Sequence, residues 1–454
     1  MKTKLLICIL FLFPFLFLSA QESNQKSVAI TVYNNNLGVV KDLRTIDIAS
    51  GISTIKLTDV AQHIDPTSVH IGIDGEVLEQ NYQYDLVSMD KILKKYLDKK
   101  IQLISEKGEL LEGILLTANS NQIVLKKEGG GLLMLPNTNK YQISVGELPE
   151  GLITKPTLVW MVKSPKSGEQ DVEVSYQTSG MNWHAEYVVV LNKDDNRLDL
   201  NSWVSVDNNS GATFKNAKLK LIAGDVNLVQ PQYNRLYKRE VMMAMDAAPS
   251  TQFEEKSFFE YHIYNLQRHT TLRNNETKQI SLFDAKNVTA NKKYYYKGGS
   301  YYGNNSKGKV SVIIEFENNK SNNLNVPMPK GKVRVYKSDG DALEFIGEDM
   351  IDHTSKKETV KLKIGEAFDI VVTDVQTVHN KITDRVYEQE YEITIKNKKD
   401  ENIVVDVERS LGLNWKILSS TLDYKKLNSQ NILFKVPVKA DGKTVLKYKV
   451  RYSN

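Results

Sequence analysis

Cysteine is almost absent from this chain: Cys8 is the only one among 454 residues. It lies early in an apolar run near the N-terminus, residues 5–18. If that run is removed on export, the mature chain has no thiol. Disulfide bonds, cysteine-ligated zinc and cysteine nucleophiles are then excluded, and the fold has to be stabilised by packed cores alone.

A long apolar run is missing as well. The N-terminal run covers about 14 residues, fewer than the ~20 that a transmembrane helix needs. Lys2 and Lys4 precede it and Ala20 follows it, which is the pattern of a secretory signal cleaved after Ala20. An uncleaved anchor is the alternative, and a lipoprotein is not expected because Cys8 lies too early. We expect export to the periplasm or the cell surface, with no transmembrane span in the mature chain.

Neither sign of charge dominates the sequence. The net charge of +5 falls to +3 when Lys2 and Lys4 are removed with the leader, which carries no acid. Acids and bases alternate along the chain without a dense basic cluster, so nucleic acid is not an expected partner. A hydrophobic content of 41% excludes wholesale disorder, and the length suggests several domains.

Most of the remaining sequence alternates between apolar and polar residues with a period of two, which places apolar side chains on one face of a strand. Turn-forming residues separate the short runs. Examples are Val28-Ile30-Val32, Val172-Val174-Tyr176, Val310-Val312-Ile314-Phe316 and Phe368-Ile370-Val372. The pattern predicts an all-β fold of tandem β-sandwich-like domains.

One segment departs from that period. Residues 86–97 carry an apolar stripe at helical spacing, with Ser88 as the predicted N-cap. Five short runs follow and are predicted as strands: 100–105, 110–117, 122–126, 132–135 and 142–145. One helix followed by five bent strands resembles the Sm-like family of small barrels. The RNA-binding residues of that family have no counterpart here, so the resemblance is architectural.

These patterns divide the chain into five parts. Residues 1–20 are the signal peptide, 21–84 an N-terminal β region, and 85–148 a small β-barrel insert with an N-terminal helix. Residues 149–307 form a central β-sandwich that contains a flexible loop, 225–260, and residues 308–454 form a C-terminal β-sandwich.

Several short sequence segments occur together in a combination that resembles a known family. They include Trp183-His184-Ala185-Glu186-Tyr187, Asn208-Asn209-Ser210-Gly211, Lys332-Val333-Arg334-Val335-Tyr336, Asp352-His353-Thr354 and Gly365-Glu366-Ala367-Phe368-Asp369. From about Val28 to the C-terminus, except for the predicted helix-and-barrel segment, the chain resembles an exported bacterial family known as domain of unknown function 4139. Relatives described as mucoidy-inhibitor-like often carry a long coiled coil where this chain has its predicted small barrel. The resemblance implies no established activity.

The histidines are candidates for catalysis or metal binding. Asp352 and His353 lie in a predicted turn, and a hydrolase could use them with a distant carboxylate. A zinc site could gather His184, His262, His353 and Asp352, but they show no short ligand spacing. We favour a structural turn in which Asp352 accepts backbone donors and His353 bonds a neighbouring carbonyl. Nucleophile and phosphate-loop motifs are missing, acidic turns lack a calcium-loop pattern, and we predict no cofactor and no metal.

Aromatic residues offer a second kind of site. Tyr294, Tyr296, Tyr301 and Tyr302 either pack at a strand edge, which we favour, or form an exposed ligand-binding surface. Four tryptophans could stack on sugars, but tryptophan in β-structure more often fills a core, so we expect burial. These are Trp160, Trp183, Trp203 and Trp415.

The sequence as a whole favours a non-enzymatic binding or scaffolding protein of the cell envelope. Its partner would be an envelope protein or a glycan. The alternatives are a glycan-binding protein that uses exposed aromatics and, less favoured, a hydrolase that uses His353 and Asp352.

Overall fold

The computed structural model describes residues 24–119, 122–136, 138–224, 252–258, 261–298, 306–412 and 414–453. Of the described residues, 69% are in strands and 4% in helices, which confirms the predicted all-β class. Within these ranges no helix is both long enough and apolar enough to span a bilayer. The predicted leader lies outside the described residues.

The chain forms two compact units. The first comprises the residues up to Ala29 together with Val40–Gln177, and the second comprises Ile30–Val39 and Thr178–Asn454. The five-part division drawn from the sequence stays a prediction.

The first unit contains one α-helix and most of the early strands; the first and second strands cross its boundary, because Ile30–Val39 belongs to the second unit. In chain order these are β1 (Asn24–Tyr33), β2 (Gly38–Ile48), β3 (Gly51–Thr58), β4 (His70–Gly72), β5 (Glu76–Gln83), α1 (Met89–Lys95), β6 (Lys100–Ser105), β7 (Leu110–Asn119), β8 (Gln122–Lys126), β9 (Leu132–Pro136), β10 (Tyr141–Ser144), β11 (Thr157–Ser164) and β12 (Gly168–Thr178). Strands β1, β2, β12 and β4 are neighbours in that order, and β11 lies between β3 and β5.

Helix α1 and strands β6–β10 form the segment that the sequence predicts as helix plus five strands. The Ser88 hydroxyl accepts a hydrogen bond of 3.3 Å from the Lys91 amide, so the predicted N-cap is confirmed. The five strands pair antiparallel in the order β10-β6-β7-β8-β9. They enclose an apolar cluster of their own, made of Leu93, Tyr96, Ile101, Leu103, Leu115, Ile123, Leu125 and Leu135.

The second unit contains the remaining strands. These are β13 (Met181–Leu191), β14 (Arg197–Asn208), β15 (Phe214–Ala223), β16 (Phe253–Phe258), β17 (Tyr261–Leu266), β18 (Thr270–Leu272), β19 (Glu276–Gly298), β20 (Ser306–Glu317), β21 (Gly331–Asp339), β22 (Ala342–Ile351), β23 (Thr359–Thr383), β24 (Val386–Asn397), β25 (Ile403–Ser410), β26 (Trp415–Ser420), β27 (Tyr424–Lys426), β28 (Asn431–Val438) and β29 (Lys443–Ser453).

Thirteen of these strands belong to one long sheet. Its main path runs β22-β21-β13-β14-β19-β20-β23-β24-β29-β26, with β25, β27 and β28 attached through β19. Strand β13 pairs antiparallel with β14 and parallel with β21. Beneath this part of the sheet, the Trp183 indole lies edge-on to Tyr264 of β17 at 6.0 Å and donates a hydrogen bond to the Ile222 carbonyl.

The fold corrects two expectations. Strand β16 lies inside the segment 225–260 that the sequence predicts as a loop, because it pairs with β17 along its whole length. Most of that segment lies outside the described residues. Phe368 does not share the buried face of Ile370 and Val372, and 95% of its surface is exposed.

Candidate functional site on an open sheet face

Trp203 is exposed because of its position within strand β14. The even-numbered residues Leu198, Leu200, Val204 and Val206 are buried, so the odd-numbered ones point to the opposite face of the sheet. The predicted burial of Trp203 is therefore wrong: 42% of its surface is exposed. The alternation within its own strand is the sequence signal that would have found it.

The other three tryptophans behave differently. Trp160 and Trp183 are fully buried, as predicted, at 0% and 1% exposure. Trp415 is half-buried, and its indole N–H donates to the Ser429 carbonyl at 2.7 Å. Trp203 is therefore the one exposed indole among the four.

Trp203 begins a row of side chains that crosses four strands. It lies directly opposite Glu186 of β13, Glu186 lies opposite Lys332 of β21, and Lys332 lies opposite Met350 of β22. Directly opposed side chains in a sheet share one face, with Cβ atoms ~5 Å apart. The row thus forms a continuous strip on the outer face of the long sheet.

Glu186 is the centre of the polar contacts on this face. Its carboxylate accepts a hydrogen bond of 2.9 Å from Gln279 Nε2 and lies 3.8 Å from Arg334 Nη1 and 3.7 Å from His184 Nε2. Arg334 Nε lies 3.7 Å from Glu348. Exposed ion pairs add little to stability, so the main effect of these contacts is to hold planar polar groups in fixed orientations beside Trp203.

Apolar side chains border this network. Phe345, Leu343 and Met350 of β22 each have more than half of their surface exposed. Tyr336 packs edge-on against Phe345, with ring centroids 5.6 Å apart. We call the outer surface formed by Trp203, Glu186, Gln279, Arg334, Tyr336 and Phe345 the Trp203 face. It is a flat surface of aromatic rings and oriented polar groups.

A cleft of about 730 Å³ is lined on one side by β19, the strand that pairs with β14. Ser281, which lines the cleft, is directly opposite Trp203, and Asp284, which also lines it, is opposite Asn201. Its other walls come from β16, β17 and the residues that flank them, from the loop before β21, and from the loop before β23. They contain Gln252, Glu254, Glu255, Tyr264, Gln267, Asn323, Asn325 and Lys356.

Glu255 in this cleft forms a pair with His262. Its carboxylate lies 2.7 Å from His262 Nδ1 and 4.0 Å from Lys356 Nζ. The hydrogen bond with His262 is the largest cause that lowers the pKa of Glu255, and burial opposes it. The cleft therefore contains a carboxylate that is fixed and kept ionised.

Comparison with known proteins now adds to this geometry. The family model for Domain of unknown function (DUF4139) matches residues 172–453. The chain belongs to the DUF4139 family. Every residue of the Trp203 face and of the cleft lies within the matched DUF4139 region, whereas α1 and β6–β10 precede it. A search of the curated proteins found no match to the chain.

The predicted histidine candidates lie in different parts of the DUF4139 region. His184 lies on the Trp203 face, His262 lies beside the cleft, and His353 Nδ1 accepts a 3.1 Å hydrogen bond from the Lys330 amide. The predicted bond from His353 to a carbonyl stays a prediction. Among the described residues, no three histidine, aspartate or glutamate side chains come together in a way that would hold a metal ion.

Asp352 does not assemble a site with His353. Its side chain is 92% exposed and lies 3.7 Å from Lys330 Nζ, while its backbone carbonyl accepts a bond from the Thr354 hydroxyl. A carboxylate so fully exposed to water is not desolvated in the way that a general acid usually is. This geometry favours a structural turn.

Two of the four predicted tyrosines of the DUF4139 region are buried and therefore unsuited to surface binding. Tyr294 and Tyr296 are buried at 7% and 4% exposure, which agrees with the packing alternative. The Tyr296 hydroxyl donates to Asp374 at 3.0 Å in the interior. Tyr294 faces a small hollow, where Lys292 and Lys399 lie over its ring at 5.9 and 5.8 Å. Tyr301 and Tyr302 lie outside the described residues.

Proposed function

We propose that this protein binds a glycan on the Trp203 face, without catalysis, in the cell envelope. The observation that carries the proposal is the exposed Trp203 in a sheet row beside Glu186. The envelope location is supported by the N-terminal sequence pattern of Lys2, Lys4 and a short apolar run.

The chemistry of the face suits a sugar chain. An indole ring offers a flat apolar surface with a negative π-face, against which the C–H groups of a pyranose ring can pack. Glu186, Gln279 and Arg334 offer planar acceptors and donors at the level of that ring. Sugars present both C–H faces and hydroxyl groups, so a ligand of this class would satisfy both kinds of contact.

The shape of the face supports an extended ligand. Trp203 on β14 and Tyr336 on β21 are two strands apart and shifted along the strands, which corresponds to roughly 15 Å. Both rings lie on the same side of the sheet. A chain of several sugar units would reach from one ring to the other, whereas a single small molecule would not.

Binding assays with the purified mature protein test the proposal. The probes are isolated cell-wall glycan strands and a panel of neutral β-linked oligosaccharides, measured by co-sedimentation and calorimetry. We expect Trp203→Ala to weaken binding about tenfold or more, as for other aromatic anchors at interfaces, and Trp203→Phe to retain part of it.

A matched control is available in the same chain. Phe368→Ser removes another exposed aromatic, far along the sequence on β23, and should leave glycan binding unchanged. Absence of binding to every probe, or equal binding by wild type and Trp203→Ala, would show that the Trp203 face is not a glycan site.

A further inference from the structure

Phe368 is exposed in a way that folding does not explain. Strand β23 pairs with β20 through Val371 and Lys309 on one side and through Glu366 and Ser311 on the other. One residue of β20, Val310, therefore faces four of β23, residues 367–370, and this mismatch forms a β-bulge. Phe368 lies at the middle of this bulge and is 95% exposed.

A row of lysines crosses the sheet at the base of the bulge. Val371 is directly opposite Lys309 of β20 and Lys396 of β24, and Lys396 is directly opposite Lys443 of β29. Like charges in directly opposed positions destabilise a sheet. The pair Lys396–Lys443 is therefore unfavourable for folding and becomes favourable when an anion covers it.

The bulge and the lysine row belong to one surface. On one side, Lys309 Nζ lies 2.8 Å from the carboxylate of Glu366, which is two residues before Phe368. On the other side, the Lys398 amide donates a hydrogen bond of 2.8 Å to the Asp369 carbonyl. Lys398 itself pairs with Asp441. Within the described ranges, neither Lys396 nor Lys443 has an acidic side chain within 4.0 Å, so these two charges are available to a ligand.

We propose that this surface, which we call the Phe368 tip, docks on the surface of an anionic lipid bilayer. Phe368 enters the boundary between headgroups and acyl chains, and Lys396 and Lys443 lie against lipid phosphates. This proposal is independent of glycan binding on the Trp203 face.

The combination of contacts favours a bilayer over other anions. A soluble polyanion would neutralise the lysines but leave Phe368 in water, whereas a bilayer provides both an anionic layer and an apolar layer a few ångströms deeper. A protein partner would need a broad apolar area. Among the residues that the structure describes, a single large ring projects here, with Val371 partly exposed beside it. Since one weak anchor alone gives marginal attachment, we expect reversible, salt-sensitive binding.

Vesicle sedimentation with the full mature chain tests the proposal. The probes are vesicles of phosphatidylcholine alone or mixed with phosphatidylglycerol. We expect binding only to the anionic vesicles, falling as salt rises. Phe368→Ser should lower the partition coefficient about tenfold, since it removes a side chain that is buried on binding. Lys396→Gln should lower it about fivefold, the effect of one basic residue near an anionic surface.

The variant Lys443→Glu distinguishes an effect on vesicle binding from an effect on folding. It places an acid directly opposite Lys396, so we expect a higher melting temperature together with a loss of vesicle binding larger than that of Lys396→Gln. Trp203→Ala serves as the matched control and should bind vesicles like wild type.

Three outcomes would overturn the proposal. They are equal binding to both kinds of vesicle, binding to soluble dextran sulfate that is unaffected by Phe368→Ser, and a stable dimer that Phe368→Ser dissociates. The last would assign the tip to a second copy of the chain.

Discussion

At the scale of single residues, Glu255 and His262 show how a short polar contact affects stability. The hydrogen bond from His262 lowers the pKa of Glu255, so folding favours the carboxylate. When folding lowers the pKa of a carboxyl group, ionisation of that group stabilises the folded state. This contribution is fully present above the pKa of the unfolded chain, about 4.3 for glutamate, and it is lost as the pH falls through the pKa of the folded protein. The contribution is modest, because the side chain is partly exposed.

We therefore predict a pH-dependent effect of Glu255→Gln. The variant should unfold at a lower urea concentration than wild type at pH 7, and the difference should shrink as the pH is lowered below about 4. Glu254→Gln is the matched control, because Glu254 lies next in the strand, is exposed, and accepts its side-chain hydrogen bond from the exposed Gln267. A difference that stayed constant between pH 7 and pH 3 would contradict the explanation.

Single residues also show what alternation within a strand can predict. Trp183 lies on the parity of Met181, Ala185 and Tyr187 and is buried with them, whereas Trp203 lies on the opposite parity of its own strand. The rule fails for Phe368, which shares the parity of Ile370 but is exposed. The reason is the bulge, which depends on how β20 and β23 pair and leaves no sign in the sequence of β23 alone.

At the scale of elements, strands β23, β25 and β29 share a buried polar cluster. Asp374 of β23 forms an ion pair with Arg409 of β25, and Arg409 Nε donates to the Tyr448 hydroxyl of β29 at 2.6 Å. The guanidinium also lies over the Tyr391 ring at 4.8 Å. A buried ion pair stabilises little relative to apolar residues, but removal of one partner leaves the other charge buried alone.

The prediction for this cluster concerns two variants. Asp374→Ala should destabilise the protein by ~3–5 kcal/mol, because Arg409 is left without its counter-charge. Asp374→Leu combined with Arg409→Met should destabilise it less than Asp374→Ala does, since no buried charge remains. Denaturant unfolding of the three proteins measures both effects. A double variant that is less stable than Asp374→Ala would contradict this explanation.

The lengths of the strands show a second limit of prediction from the sequence. The helix and the five strands that follow it were predicted within about two residues, since turn residues mark their ends. Strands β19 and β23 were not predicted as continuous elements of 23 and 25 residues. Both change partners along their length, and each register shift interrupts the period of two that a sequence pattern relies on.

At the scale of the whole molecule, the all-β class followed from the sequence but the Trp203 face did not. That face requires β13 to pair in parallel with β21, nearly 150 residues later in the chain, which brings Glu186 opposite Lys332. Alternation shows which side of a strand faces the core, but it does not show which strands are neighbours. A surface formed by several strands therefore cannot be predicted until the pairing of those strands is known.

The segment between β5 and β11 allows a test at the same scale. Its apolar side chains form their own cluster around Leu103 and Leu125, so we predict that it folds as an independent unit. About 60 residues is marginal but sufficient for a separate fold. The chain enters and leaves at one place, because the Val87 amide donates to the Ile153 carbonyl and the Ile153 amide donates to the Asp85 carbonyl.

Expressed alone, residues 85–153 should give a β-rich circular dichroism spectrum and a cooperative thermal transition. Replacing residues 88–150 by a short Gly-Ser linker should leave the remainder folded, because the paired backbone at Asp85 and Ile153 is retained. Leu103→Ala within the full chain is the matched control, and it should destabilise the segment without lowering the melting transition of the remainder. If the isolated segment is disordered and the shortened chain also fails to fold, the segment is part of a larger core and the predicted boundaries at 85 and 148 are wrong.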